Sequence, residues 1–415
     1  MNILHINYTD LVGGRFTGYY MQQSLNESNK VEMAVWKKES KSTFVHLIPP
    51  ENQILHFFID VIMNVCARMG LDRLFGIGGL LLPKRDFFKR ADIVHLHLIH
   101  NFSNFSILSL PMLSRKKPIV WTIHDPWAMT GGCEHSFECD GWLKGCSQRC
   151  PHPRAKSLFQ HFMPYIHWKI KKYIYKRSNI TLIVASQWMQ VRISKSPLLS
   201  QLPCYRIPFG IDVNLFRPKL NIDIRKKLGI PLTNKVIAFR DSGLKKDKFK
   251  GLQYLFDALT LYEPKEPTTL LIIENGKDFE HLSAKYSIIM TGWVDGEDMV
   301  DVLSSADIFL MPSIQESFGL MAVEAMACGT PVIVAEGTAL PSVIISSKQN
   351  LSGGLVVPAK DSIALAGAID LLLKNDDLRK NLGGQARHIA ESEYSLELYT
   401  EAHINLYKEV ILKKW

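Results

Sequence analysis

The sequence predicts an α/β fold divided between two domains, and three observations carry that reading. At 415 residues the chain is longer than one hydrophobic core ordinarily serves. Residues 306–335 spell out a strand, a loop, a short helix and a second strand, the unit from which parallel sheets are built. Elsewhere, short apolar runs end in polar or charged residues, as in Asn2–Asn7, Pro118–Asp125 and Lys235–Arg240. In open α/β sheets such strand ends line the ligand crevice.

Within the β-α-β unit, Ala306–Met311 suits a buried strand, and Pro312 and Ser313 stop it. Phe318 and Gly319 turn the chain, Leu320–Ala327 reads as helix, and Gly329 and Pro331 close it before the strand Val332–Ala335. Glu316 lies in the loop and Glu324 inside the helix. Free N–H groups at a helix start suit an oxygen-rich or anionic ligand, but the dipole contributes only about 0.3–2 kcal/mol. Holding a diphosphate therefore needs cations from elsewhere. The two carboxylates would repel phosphate and suit neutral hydroxyls, as acidic residues hold ribose diols in other nucleotide folds. The competing reading makes Glu316 a helix cap and Glu324 a solvated helix residue.

Glu316-x7-Glu324, with Ser317-Phe318-Gly319-Leu320 between, resembles the E-x7-E motif of retaining glycosyltransferases of family 4. The resemblance implies the GT-B fold: two Rossmann-like β/α/β domains facing a cleft, with a C-terminal helix crossing back to the first domain. It also implies that Glu324 binds the nucleotide ribose, while Glu316 and the Phe318-Gly319-Leu320 backbone hold donor-sugar hydroxyls and phosphate.

The bulk numbers fit an ordinary globular protein, 47% hydrophobic and 21% charged. A net charge of +9 favours anionic partners or serves solubility alone. No basic arm or nucleic-acid motif accompanies it, so a nucleic-acid partner is not expected. The N-terminus starts as a strand rather than a signal peptide, and no uncharged apolar stretch reaches the ~18 residues of a spanning helix. Seven cysteines, an odd number without an export signal, suggest a reducing cytosol.

After the first strand, Leu11–Tyr19 is a glycine loop leading to a helix near Tyr20–Leu25; its spacing is not that of a dinucleotide fingerprint. The resemblance puts Gly13 and Gly14 at the acceptor or the donor phosphates. Leu55, Phe57, Phe58, Val61, Ile62 and Val65 have helical spacing. We read them as core, with a surface for a lipid-linked acceptor as the alternative. The strand Pro118–Asp125 ends in His124 and Asp125, which makes His124 the candidate for polar work at the crevice, against a structural histidine. In the resembled family its counterpart lies near the donor sugar, and the donor's own phosphate is thought to deprotonate the acceptor.

An insert, 127–151, then places Cys133, Cys139, Cys146 and Cys150 within 18 residues. Four thiolates can close a tetrahedral zinc site, with His124 or His135 as substitute ligands. A disulfide or plain unpaired thiols are the alternatives. His124-Asp125-Pro126-Trp127-x2-Thr130-Gly131-Gly132-Cys133 resembles a subgroup that builds bacterial surface polysaccharides of colanic-acid and O-antigen type. Phe159–Arg177 mixes aromatics with basic residues. It suits either a helix on an anionic membrane or a packed helix with a solvated basic edge.

Ile207–Pro218 resembles the family's interdomain linker, with Phe209 where an asparagine is usual, and sets the boundary near Pro208. The expected domains are 1–207 on the acceptor side, 208–395 for the nucleotide sugar, and a returning helix, 396–415. Arg240 at a strand end and Lys250 before Gly251 at a helix start supply the two cations the diphosphate requires, and they match the family's phosphate-binding pair. The alternative is a solvated lysine-rich loop. Backbone at Gly292, Trp293 and Val294 would border the nucleobase by resemblance.

The resulting expectation is a retaining glycosyltransferase of the hexosyl type, cytoplasmic or peripheral at the inner membrane face. It moves a sugar from a nucleotide diphosphate donor to a saccharide acceptor that is polyprenyl-diphosphate-linked, with no catalytic cofactor. A sugar-nucleotide epimerase, a phosphorylase and a non-catalytic binding protein are the alternatives.

Overall fold

The computed structural model describes the chain except residues 12–13, 15–16, 18, 20, 22–28, 50–56, 60, 63–64, 67–75, 77, 101–104, 137, 147–157, 220, 244–247 and 414–415. The described residues form two compact units, Met1–Ile207 with Tyr399–Trp415, and Pro208–Leu398. The chain therefore passes between the units twice, and its last helix from Tyr399 on belongs to the first.

The first unit holds a seven-stranded sheet in the order β3-β2-β1-β4-β5-β6-β7. Its strands are β1 (Asn2–Thr9), β2 (Lys30–Lys37), β3 (Val45–Leu47), β4 (Ile93–Leu96), β5 (Ile119–Thr122), β6 (Thr181–Val184) and β7 (Cys204–Arg206), all paired in parallel. Side chains alternate across a sheet. On one face Leu4, Ile6, Val94, Leu96, Ile119 and Trp121 join the core with Trp168, Ile174 and Tyr175 of α1 (Leu158–Tyr175). The opposite face carries His5, His95 and Thr122, with His97 and His124 continuing the same alternation past the strand ends. In this unit α2 (Gln187–Lys195) is capped by the Ser186 hydroxyl, which accepts from Met189 N.

The second unit repeats the plan with six parallel strands in the order β10-β9-β8-β11-β12-β15. These are β8 (Lys235–Asp241), β9 (Thr268–Glu274), β10 (Ser287–Gly292), β11 (Ile308–Met311), β12 (Val332–Ala335) and β15 (Gly354–Val357). A two-stranded antiparallel pair, β13 (Ile345–Ser346) and β14 (Leu351–Ser352), lies between the last two. Ile237, Phe239, Leu270, Ile272, Leu310 and Ile333 pack with Leu255 and Leu259 of α3 (Leu252–Leu261) in the core. The remaining helices used below are α4 (Gly296–Ser305), α5 (Leu320–Ala327), α6 (Ser362–Lys374), α7 (Asp376–Glu393) and α8 (Leu396–Leu412).

In both sheets the strand order reverses beside the first strand, between β1 and β4 and between β8 and β11. Ligands of open α/β sheets bind outside the carboxyl ends at that switch point. The helix expected near Tyr20–Leu25 falls on residues of which only Met21, which is buried, is described. The core reading of the 55–65 stretch is corrected. Where described, that stretch is helical, but Phe57, Phe58, Val61, Ile62 and Val65 are exposed and only Ile59 is buried. Helical spacing marks an apolar stripe without saying what covers it.

Candidate functional site

In the second unit the geometry converges on two loops beyond the β8–β11 switch point. One runs from β8 through the short turn Lys248–Lys250 into α3. The other runs from β11 through Pro312–Gly319 into α5. Backbone bonds fasten them together: Ile314 N and Gln315 N donate to the Phe249 carbonyl at 2.8 and 3.2 Å. Gly251, at φ +71°, lets the two chains close up, since a Cβ there would stand 2.0 Å from the Pro312 carbonyl oxygen. The result places Lys250 Nζ 2.8 Å from a Glu316 carboxylate oxygen. The cation and the acid predicted from separate stretches of sequence thus share one site, both partly exposed.

Gly319 caps α5 at φ +99°, where a Cβ would stand 2.2 Å from Leu340 Cδ2. Leu320 begins that helix. Phe318 is buried edge-on against Phe209, with ring centroids 5.0 Å apart, and against Tyr394 at 5.7 Å. The linker position that lacks its usual asparagine therefore anchors the loop by aromatic contact. Glu324 is 0% exposed within α5. A wholly buried carboxylate is costly, and such cost concentrates at functional positions.

Arg240 is held differently. Its Nε donates to Glu274 at 2.8 Å, and its guanidinium carbon lies 4.9 Å from the Trp293 ring centroid. Trp293 itself is 66% exposed. Glu274 adopts φ +84°, a conformation that costs a non-glycine residue about 1–3 kcal/mol. Sequence reasoning did not single out Glu274; its place at a strand end was the available signal.

The first unit gathers histidines on the face of its sheet away from α1. His5 Nδ1 lies 2.8 Å from His97 Nε2, and His97 Nδ1 lies 3.2 Å from His124 Nε2. His95 bonds the Tyr407 hydroxyl through Nδ1 and Thr122 Oγ1 through Nε2, each at 2.6 Å. Burial lowers His5 and His124 to about 3 and His403 to about 4, with the His403 charge adding to the effect on His5 and Asp125 opposing it at His124. His95 and His97 fall well below the ordinary value for the same reason. At neutral pH His124 is thus a neutral hydrogen-bonding group and a weak base. Asp125 stays ionised: burial alone would raise it, but the nearby His100 and the Trp127 N–H lower it. His100 Nε2 stands 3.1 Å from that carboxylate, though poorly aligned for a hydrogen bond.

Among the described residues, His5, His95 and His97 are the group whose candidate ligand atoms all come within 4.8 Å of one another. Both nitrogens of His95 and of His97 are already engaged with other side chains, which suits hydrogen-bonded neutral rings better than metal ligands. Cys133, Cys139 and Cys146 make no such group, and Cys150 lies outside the described residues. Gly141 N donates to Cys139 Sγ at 3.4 Å and Gly131 N to Cys146 Sγ at 3.2 Å. Lys171 is buried on the inner stripe of α1, donating to the Trp127 and Thr130 carbonyls over the Trp127 ring. It fastens the loop that follows His124, a role the basic character of its helix concealed. Gly14 is buried and donates to the Leu11 carbonyl at 3.0 Å in a turn beyond β1. Gly13 lies outside the described residues.

Residues 221–389, within the second unit, match the family described as Glycosyl transferases group 1. The chain is 32% identical over 222 residues to the D-inositol 3-phosphate glycosyltransferase of Corynebacterium jeikeium, covering 49% of this chain and 51% of that protein. It spans about half the length of the curated relatives it matches. Sucrose-phosphate synthase from Thermosynechococcus elongatus superposes with a TM-score of 0.66 at 19% identity, covering 100% of both chains. Anabaena HepE in complex with UDP-glucose gives 0.64 at 16% identity, covering 99% of this chain and 100% of that one. The fold, two parallel-sheet Rossmann-like units, is that of these GT-B glycosyltransferase structures.

Two outcomes are expected from this geometry. Gly251→Ala should drive the Pro312 carbonyl away and cost at least about 2 kcal/mol, read from urea unfolding. The buried histidines bind protons in the unfolded chain near pH 6.5 but in the folded one only near pH 3–4. Their contribution is complete above the unfolded value and is lost as pH falls toward the folded ones. The melting temperature should therefore drop steeply between about pH 6.5 and 4, and a flat profile across that window would contradict the neutral cluster.

Proposed function

We propose that this chain is a glycosyltransferase that transfers a sugar, with retention of configuration, from a nucleotide diphosphate sugar to a saccharide acceptor in bacterial surface-polysaccharide synthesis. The observation that carries the reading is the Lys250–Glu316 pair at the β8–β11 switch point, inside the stretch that matches the Glycosyl transferases group 1 family. A cation beside an acid is what a sugar joined to a diphosphate requires: one group for the phosphate, the other for hydroxyls.

On this reading Lys250 and Arg240 neutralise the departing diphosphate, which is the dominant catalytic contribution. Glu316 accepts hydrogen bonds from donor-sugar hydroxyls, and the backbone at Phe318, Gly319 and Leu320 holds sugar and phosphate. Glu324 takes the ribose, and the backbone around Trp293 takes the base. The bond from the anomeric carbon to the diphosphate oxygen breaks, and the acceptor oxygen bonds to the same face of that carbon. The acceptor proton passes to a leaving phosphate oxygen. His124, neutral and weakly basic, contributes a hydrogen bond rather than proton abstraction. The two cations make a catalytic metal unnecessary at the diphosphate. The UDP-glucose held by HepE supports a nucleotide-sugar donor by likeness of fold.

The acceptor we propose is polyprenyl-diphosphate-linked, met at the inner face of the cytoplasmic membrane. Among the described residues no helix is long and apolar enough to cross a membrane. On α1, however, Phe162, Tyr165, Ile166 and Tyr173 form an exposed apolar stripe beside Lys169, Lys172, Lys176 and Arg177. Rings flanked by cations suit the interface of an anionic bilayer.

Calorimetric titration with UDP and GDP should show one of them binding, and Lys250→Ala should weaken it by about tenfold or more, as loss of a charge-assisted contact implies. Unchanged affinity in both Lys250→Ala and Arg240→Ala would remove the phosphate assignment. Sedimentation with vesicles should show binding to phosphatidylglycerol but not to phosphatidylcholine alone, weakened by Lys169→Glu with Lys172→Glu; equal partition to both vesicles would end the membrane reading.

A further inference from the structure

Two carboxylates meet at the paired ends of β8 and β9, where Asp241 and Glu274 are register partners. Asp241 is spent on the backbone: it accepts from Gly243 N at 2.7 Å and Gly276 N at 3.1 Å, shaping the turns beyond both strands. Glu274 makes a different kind of contact. Its carboxylate takes Nε of Arg240 at 2.8 Å, and both side chains are about one-third exposed, at 32% and 34%. The backbone that delivers it sits at φ +84°, a region that glycine enters freely and glutamate does not. A strained residue is thus maintained where its charge lands on the strand-end cation.

We propose that Glu274 is a resident counter-ion that competes with the donor's diphosphate for Arg240, so that this side chain sets nucleotide affinity and its dependence on salt. The inference rests on the reading of Arg240 as a phosphate ligand. Carboxylate and phosphate oxygens seek the same guanidinium donors. With Glu274 in place the Arg240 charge is already answered, and an arriving diphosphate gains the guanidinium only by displacing or crowding an anion. Lys250 faces the same competition from Glu316 at 2.8 Å, but that acid has hydroxyls to take up once the sugar arrives. Glu274 is the strand partner of Gly292, next to the exposed Trp293 against which Arg240 is laid, and the functional reading gives it no hydroxyl partner. Holding the guanidinium between an acid and an indole keeps it extended but reduces its pull on anions.

The test is a double-mutant cycle on the full chain, with UDP, GDP and inorganic pyrophosphate as probes. Glu274→Gln keeps the shape and removes the charge; Glu274→Gly also suits the backbone conformation. Both should bind the accepted nucleoside diphosphate about three- to tenfold more tightly at low salt, with the gain shrinking toward nothing near 0.5 M salt. In an Arg240→Gln background the Glu274→Gln change should have no effect. Unchanged or weaker binding in Glu274→Gln overturns the proposal and makes Glu274 a residue that orients Arg240 for its ligand. An equal gain with and without Arg240 overturns it too, since the effect is then bulk charge. Failure of the underlying reading looks different: wild type and Arg240→Gln bind the probes equally, or neither binds, and the counter-ion role falls with it.

Discussion

The second unit depends on a seam of backbone hydrogen bonds between two loops that are far apart in sequence. The Phe249 carbonyl receives the amides of Ile314 and Gln315, and Gly251 gives up its side chain so that Pro312 can lie against it. Two backbone bonds are modest in net energy, each about 0.5–1.5 kcal/mol. Their importance is geometric. They put the start of α3 and the approach to α5 in one register, and the ion pair between Lys250 and Glu316 follows from that register rather than creating it. A partly exposed pair contributes little by itself. The backbone bonds, not the ion pair, therefore hold the two loops in place.

The first unit solves a different problem. It places four imidazole rings on one sheet face, with His403 of α8 against His95, and keeps them neutral. Burial does this directly, since charging an imbalanced group in a dry interior is costly. Bonds between rings engage both nitrogens of His97, and hydroxyls of Tyr407 and Thr122 engage both of His95. The ammonium of the buried Lys171, in the same unit, meets carbonyl oxygens and an indole face.

Much of this was legible in the sequence because the signals were local. Strand ends within two residues of Asn7, His124 and Arg240, the β-α-β unit and the glycine before α5 all follow from residue type and spacing within a dozen positions. The pairing of Lys250 with Glu316 was legible only as a requirement for cations, since no local pattern states which lysine meets which acid. Phe209 read as the loss of a polar contact, and the structure shows the gain of an aromatic one. Phe57 and Phe58 read as core because spacing reports a stripe and not its partner. Lys171 and Glu274 were opaque for the same reason: a buried lysine and a left-handed glutamate are each exceptions to the rule by which sequence is read. Of the four cysteines, Cys133, Cys139 and Cys146 form no ligand group by themselves, and Cys150 lies outside the described residues.

Helix α8 starts in residues grouped with the second unit and ends in the first, where Tyr407 reaches His95 across 312 positions of chain. The unit that leaves the ribosome first is thus the one completed last. Its His95 ring waits for His403 and Tyr407 through the synthesis of the entire second unit. A chain cut before Tyr399 would keep every residue of the second unit and lack the part of α8 that brings Tyr407 to His95.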